Sequence, residues 1–109
     1  VLSNKAHEFT VDVISTLLPN WHFDCVYGER EGITRKPDPS GALEIAKEFG
    51  IKPSEIVFVG DTKVDMTTAK NAGMYAVGVL WGFREEKELL EHGSDKIISE
   101  PLELLDLFK

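Results

Sequence analysis

The chain is poor in sulfur and imidazole ligands, with one cysteine, Cys25, and three histidines in 109 residues. A lone thiol cannot close an internal disulfide and excludes both a CxxC pair and a multi-thiolate metal site. It fits a reducing, cytoplasmic setting, where it reads as a small buried hydrophobe. His7, His22 and His92 show no metal-ligand spacing and read as surface residues. Basic residues are scarce as well: 12 Lys and Arg stand against 19 Asp and Glu, for a formal net charge of −7. That balance opposes the phosphate-neutralising footprint of a nucleic-acid binder, so no nucleic acid is expected as partner. No apolar run approaches the roughly 20 residues of a membrane span, and no basic stretch leads into an apolar core as in a signal peptide. No membrane partner is expected.

The start of the chain is short of apolar residues too. It opens Val1-Leu2-Ser3-Asn4 with no initiator Met, and two apolar residues are few for a strand of about five or six. It reads as a sequence cut into rather than begun.

What is present is one domain's worth of core, 42% hydrophobic and 28% charged residues, read as a single domain over 1–109. Ala6, Phe9, Val13, Ile14, Leu17 and Leu18 form an amphipathic stripe that predicts a helix over 6–18, with Asn4 as N-cap and Pro19 as stop. Residues 23–27, closed by Gly28, predict a short strand, and 29–38 a charged loop. A second helix is expected over 39–49, ended by Gly50. Residues 56–59 are apolar without alternation, the pattern of a strand covered on both faces. A helix over 63–71 closed by Gly73, a strand over 75–80, a short acidic helix over 85–91, a strand over 96–99 and a last helical turn or two over 101–108 complete the chain. Strand and helix alternate, which predicts an α/β fold with a mostly parallel sheet and ligands collecting beyond the carboxyl ends of the strands.

Three polar clusters follow three predicted strand ends. Ser3-Asn4 offers a hydroxyl and backbone N–H groups to a phosphate oxygen at a helix start, or is simply a cap. In Arg35-Lys36-Pro37-Asp38-Pro39 two prolines stiffen the loop that carries Lys36. A fixed ammonium there can neutralise a carboxylate and a phosphoryl group, whereas the plain alternative is a solvated lysine before a turn. Gly60-Asp61-Thr62-Lys63-Val64-Asp65 is the most specific: Asp61 directly after the apolar strand and Asp65 four residues on can face one side. Magnesium takes one or two such carboxylates, with water and substrate phosphate completing its shell. The plain alternative is that Asp61 caps the helix and Asp65 favours its dipole. Trp81 and Phe83 read as loop-packing or partner-contacting residues, and Glu85, Glu86, Glu88 and Glu91 as a solvated helix face.

Taken in order, Ser3-Asn4, Lys36-Pro37-Asp38-Pro39 and Gly60-Asp61-x-x-x-Asp65 followed by Ala69-x-x-Ala72-Gly73-Met74 resemble motifs two, three and four of the haloacid dehalogenase superfamily. The resemblance spans nearly the whole chain. The run 78–84, Gly-Val-Leu-Trp-Gly-Phe-Arg, is most similar to its phosphoglycolate phosphatase branch. The resemblance implies a three-layer Rossmann-like core and a Mg²⁺-dependent phosphatase acting on a small phosphorylated metabolite through an aspartyl-phosphate. It implies that Ser3 donates its hydroxyl to the phosphoryl group with the Asn4 amide nearby, and that Lys36 balances the charge of nucleophile and phosphate. Asp61 would bind the metal directly and Asp65 from the second shell or through water.

One departure is large. The family's first motif, Asp-x-Asp-x-Thr or Val on a central strand, supplies the nucleophile. The seven aspartates here, at 12, 24, 38, 61, 65, 95 and 106, include no two separated by one residue. The resemblance thus implies a partial core without its central first strand and without the helical cap that selects substrate, inactive as an isolated chain. Two strands would be left with open edges, and the first strand is expected either to shift toward 56–59 or to be completed by another copy, a self-association through the sheet gap. Rival readings are a non-catalytic binding or regulatory module of receiver or flavodoxin type, a standalone interaction protein that kept the motifs without the chemistry, and, within the superfamily, a sugar phosphomutase or pyrophosphatase.

Overall fold

A computed structural model describes residues 1–82 and 84–108. The expected alternation is present: β1 (Leu2–Ala6), α1 (His7–Leu17), β2 (Tyr27–Glu29), α2 (Ser40–Phe49), β3 (Val57–Gly60), α3 (Lys63–Ala72), β4 (Tyr75–Val79), α4 (Glu86–Glu91) and β5 (Lys96–Ile98). A 3₁₀ turn at Pro53–Glu55 precedes β3, and the chain ends in a 3₁₀ segment, Pro101–Phe108, where sequence suggested ordinary helix. All strand pairs are parallel, in an α/β architecture. Among the described residues no helix is long and apolar enough to cross a membrane.

The best-formed layer is the sheet β3-β4-β5, with β4 in the middle. The central strand is apolar and buried from Ala76 to Val79 because both its faces are covered, whereas β3, expected to be covered on both faces, leaves Val59 41% exposed on its unpaired edge. Ala76 joins Met66, Ala69 and Ala72 of α3, Ala42 and Ala46 of α2, and Leu89 of α4 in one core cluster. Val77 and Val79, pointing the other way at the strand's two-residue period, pack with Ile98 against Leu104 and Leu107 of the 3₁₀ segment. Three layers result. Gly50 and Gly73 end α2 and α3 in the left-handed conformation, with φ of 69° and 74°, the role their positions suggested.

The amino-terminal part differs from expectation in three ways. First, Leu2–Ala6 is a strand despite Ser3, Asn4 and Lys5, because it pairs with β2 in the register Leu2↔Tyr27 and Ala6↔Glu29. Pairing and side-chain partners, rather than apolarity, fix it. Asn4 therefore cannot cap α1; Ala6 holds that position and makes no side-chain cap. Second, the strand expected over 23–27 begins only at Tyr27, where the parallel partner starts. Third, much of the α1 stripe faces solvent: Phe9 is 54% and Leu17 69% exposed. A two-stranded sheet is too narrow to cover the helix it carries.

β1 does not pair with β3. The shift that would have closed the sheet has not occurred among the described residues. Instead the two strands leave open edges on a cleft of about 240 Å³ lined by residues that include Leu2, Ile45, Phe58, Val59, Asp65 and Met74.

β2 itself lies tightly on the β1–α1 junction. A Cβ on buried Gly28 would lie 2.5 Å from the Lys5 carbonyl oxygen, 2.6 Å from His7 Cα and 2.6 Å from Thr10 Oγ1. Two of these are backbone atoms that cannot rotate away. Gly28→Ala is expected to lower unfolding free energy by about 1–3 kcal/mol, the usual range for overpacking. Urea denaturation followed by tryptophan fluorescence checks this, and an unchanged midpoint would show that the junction yields freely.

Candidate functional site

The polar site is assembled where the carboxyl end of β3 meets the start of β1, and its central group is Asp65. Thr62 is the N-cap of α3: its hydroxyl accepts from the Asp65 N–H while the Asp65 carboxylate accepts from the Thr62 N–H, a reciprocal capping box. Thr62-x-x-Asp65 is legible in the sequence as such a box. The cap is thus Thr62 and not Asp61. Asp65 Oδ2 also accepts from the Asp61 N–H at 3.1 Å and the Thr62 hydroxyl at 3.0 Å. Asp65 Oδ1 takes the Lys36 ammonium at 2.7 Å. Both carboxylate oxygens are occupied.

Gly60 makes this fold-back possible. A Cβ there would fall 2.5 Å from Asp65 Cγ, so only a glycine at the end of β3 lets the carboxylate lie over the strand. Burial alone would raise the Asp65 pKa. The Lys36 ammonium, the Thr62 hydroxyl and the Asp61 N–H outweigh it and hold the carboxyl below its ordinary range.

Lys36 is held from several sides. Its Nζ also donates to the Leu2 carbonyl at 3.3 Å. The Asn4 side chain brackets its backbone, Oδ1 accepting from the Lys36 N–H at 2.9 Å and Nδ2 donating to the Lys36 carbonyl at 3.1 Å. Asn71 of α3 donates to the Pro37 carbonyl at 3.1 Å. Asp38 accepts from the N–H and hydroxyl of Ser40 and so starts α2. The lysine side chain is only 14% exposed and that of Asp65 10%, which sets aside the solvated-lysine alternative.

Ser3 adjoins the Leu2 carbonyl that Lys36 contacts, and its own hydroxyl accepts from the Lys5 N–H at 3.1 Å. The premise that Ser3-Asn4 begins a helix is corrected, since α1 starts at His7. Asp61 is half-buried, and among the described residues no hydrogen bond or ion pair engages its carboxylate. No cluster of three or more His, Cys, Asp or Glu that could hold a metal occurs among the described residues either. Magnesium asks for less, one or two carboxylates with water and phosphate around the rest. The unengaged Asp61 oxygens fit that demand, with Asp65 as support behind them.

The histidines are less uniformly superficial than expected: His7 Nδ1 accepts from the Gly28 N–H and His92 Nδ1 lies 2.8 Å from the Glu88 carbonyl. Cys25 is buried, as its type suggested. Trp81 is 51% exposed, and the expectation for Phe83 lies outside the described residues. Two positioning residues had no sequence signal: Asn4 in its grip on Lys36, and Asn71. Both act across more than 30 positions, beyond the reach of local patterns.

A parallel α/β fold with an ammonium and two carboxylates gathered at its strand ends defines the class of doubly wound proteins that place their site at that edge. Residues 1–79 match the family haloacid dehalogenase-like hydrolase. A phosphoglycolate phosphatase of Salmonella typhimurium is 30% identical over 108 residues, covering 99% of this chain and 40% of its own length. The Escherichia coli K12 phosphoglycolate phosphatase is 32% identical over 83 residues, 76% of this chain and 33% of its own. Among solved structures, a Lactobacillus delbrueckii subsp. bulgaricus protein described as a candidate phosphoglycolate phosphatase superposes with a TM-score of 0.90 at 36% identity, over 98% of this chain and 44% of that one. A haloacid dehalogenase-like family hydrolase from Streptococcus pneumoniae gives 0.86 at 27% identity, over 97% and 50%. This chain belongs to the haloacid dehalogenase-like hydrolases. It spans about two fifths of the length of the curated relatives it matches.

The Lys36–Asp65 pair is also a stability element. Because the folded carboxyl titrates below its ordinary value of about 3.9, its contribution is complete above that pH and is lost as pH falls through the lower folded value. Asp65→Ala removes the cap and leaves the lysine buried without its counter-charge. The expected loss is about 3–5 kcal/mol in urea unfolding at neutral pH. The loss should shrink under acid conditions, and an equal loss at pH 7 and pH 3 would refute the role given to the pair.

Proposed function

We propose that the intact protein is a Mg²⁺-dependent phosphatase that hydrolyses a small phosphate monoester, with phosphoglycolate the first candidate, in a cytoplasmic setting suited to the buried free thiol of Cys25. The observation that carries this reading is the Lys36 ammonium fixed on Asp65 Oδ1, while Oδ2 of the same carboxylate holds the backbone of Asp61. Phosphoryl transfer depends mainly on positioning and charge stabilisation of this kind. The names of the relatives point to the substrate class.

In this reading Lys36 offsets the negative charge of nucleophile and phosphoryl group, Asp65 keeps Lys36 in place, and the Ser3 hydroxyl and Asn4 amide, next to the Leu2 carbonyl that Lys36 contacts, face the phosphate. Asp61 holds the metal, which when bound shields the phosphoryl oxygens and orients the group for attack. The attacking aspartate comes from a segment outside this chain. Its carboxylate oxygen bonds to phosphorus as the ester P–O bond breaks and the leaving alkoxide takes up a proton; water then releases phosphate and restores the carboxylate. The open edges of β1 and β3 and the cleft between them are where such a segment would be received.

Two outcomes follow for the chain as it stands. It should not hydrolyse p-nitrophenyl phosphate or phosphoglycolate with or without magnesium; turnover by the chain alone that disappears in Asp61→Asn would show that it carries a complete site. It should also self-associate through its open strand edges. Sedimentation velocity over a range of concentrations should show a rising average mass, reduced by Val59→Lys on the 41% exposed edge residue of β3. A monomer at every concentration, with slowly exchanging amides on both edges, would remove the association.

A further inference from the structure

Among the described residues Asp61 is the carboxylate of the site without a partner, and the feature that limits its motion belongs to another segment. The backbone of the loop after β4 lies directly against it. A Cβ on Gly82 would lie 2.5 Å from Asp61 Cβ and 2.9 Å from Asp61 Cγ, and Asp61 Oδ2 would also be within contact. Gly82 does not have the positive φ that marks Gly32, Gly50, Gly73 and Gly93, so space, not backbone conformation, requires glycine. Asp61 Cβ, 2.5 Å from that position, moves only with its backbone, so rotation of the side chain cannot relieve the contact.

The loop is anchored at its approach. The Leu80 N–H donates to the Ile98 carbonyl at 3.0 Å, which ties its start to the end of β5. Beyond it, Glu88 of α4 accepts from the Lys63 N–H at 3.3 Å, which ties α4 to the first turn of α3 next to Asp61. A short carboxylate at a strand end would otherwise sample its staggered χ1 wells freely. Backbone packed on one side of it leaves fewer of them open.

We infer that Gly82 is a positioning residue: it lets the β4–α4 loop seat the Asp61 carboxylate in the orientation in which it takes a divalent cation. The inference rests on the metal role proposed for Asp61. Residues that orient a metal ligand from behind typically change affinity 10- to 100-fold when altered.

Mn²⁺ titrated into the isotope-labelled chain, with paramagnetic broadening of the amides at 60–62 as readout, tests it without any catalysis. Gly82→Ala should raise the half-broadening concentration about tenfold or more, while Asp61→Asn abolishes the effect. Equal midpoints for wild type and Gly82→Ala, with Asp61→Asn still abolishing the broadening, would overturn the inference and leave the metal reading standing. No broadening in the wild type would overturn the metal reading itself. Thermal unfolding tests the contact separately. The destabilisation by Gly82→Ala should fall to less than half in an Asp61→Gly background, where the opposing side chain is gone, and this comparison remains readable if Gly82→Ala alone folds poorly. An undiminished loss in that background would overturn the contact.

Discussion

The ion pair between Lys36 and Asp65 is the contact on which the rest of the site depends. It joins three segments far apart in sequence: the loop before α2, the first turn of α3 and, through the Leu2 carbonyl, the start of β1. A buried pair is stable only when its remaining donors and acceptors are also satisfied. Here Asp65 has the Asp61 and Thr62 N–H groups and the Thr62 hydroxyl on its second oxygen. The same bonds that neutralise the lysine fix where β3 ends and where α3 begins. Site and fold share one set of hydrogen bonds.

A second constraint is topological. Three strands form a well-packed sheet with helices on one face and the 3₁₀ segment on the other, while β1 and β2 form a separate pair. Between the two lies a cleft whose walls are apolar side chains of α2, β1 and β3 and whose polar rim includes Asp65. The start of β1 and the carboxyl end of β3 meet at that rim, because Lys36 reaches across to both Leu2 and Asp65. The polar residues are therefore organised even though the sheet is divided.

Much of this was legible in the sequence. The continuous apolar run at 56–59, Gly50 and Gly73 after two helices, and the Gly-Asp-x-x-x-Asp spacing are local signals, and each corresponds to an observed feature. What local signals could not show is what β1 is made of. Ser3, Asn4 and Lys5 have poor strand character, and they are extended because β2 pairs with them and because Asn4 holds Lys36. The strand expected over 23–27 moved for the same reason, since parallel register overrides side-chain preference. The α1 stripe had the right helical period but lacks enough neighbouring sheet to cover it. Gly82 carries no local pattern either; its importance comes only from the carboxylate that lies against it.

Asp65 contributes to two structures that are usually separate, the nucleus of a helix and the counter-ion of a lysine. Fraying of the first turn of α3 therefore also displaces the counter-charge of the ammonium, because one carboxylate holds the turn through Oδ2 and the lysine through Oδ1. The order of the helix start is in this way passed to the electrostatics of the pocket.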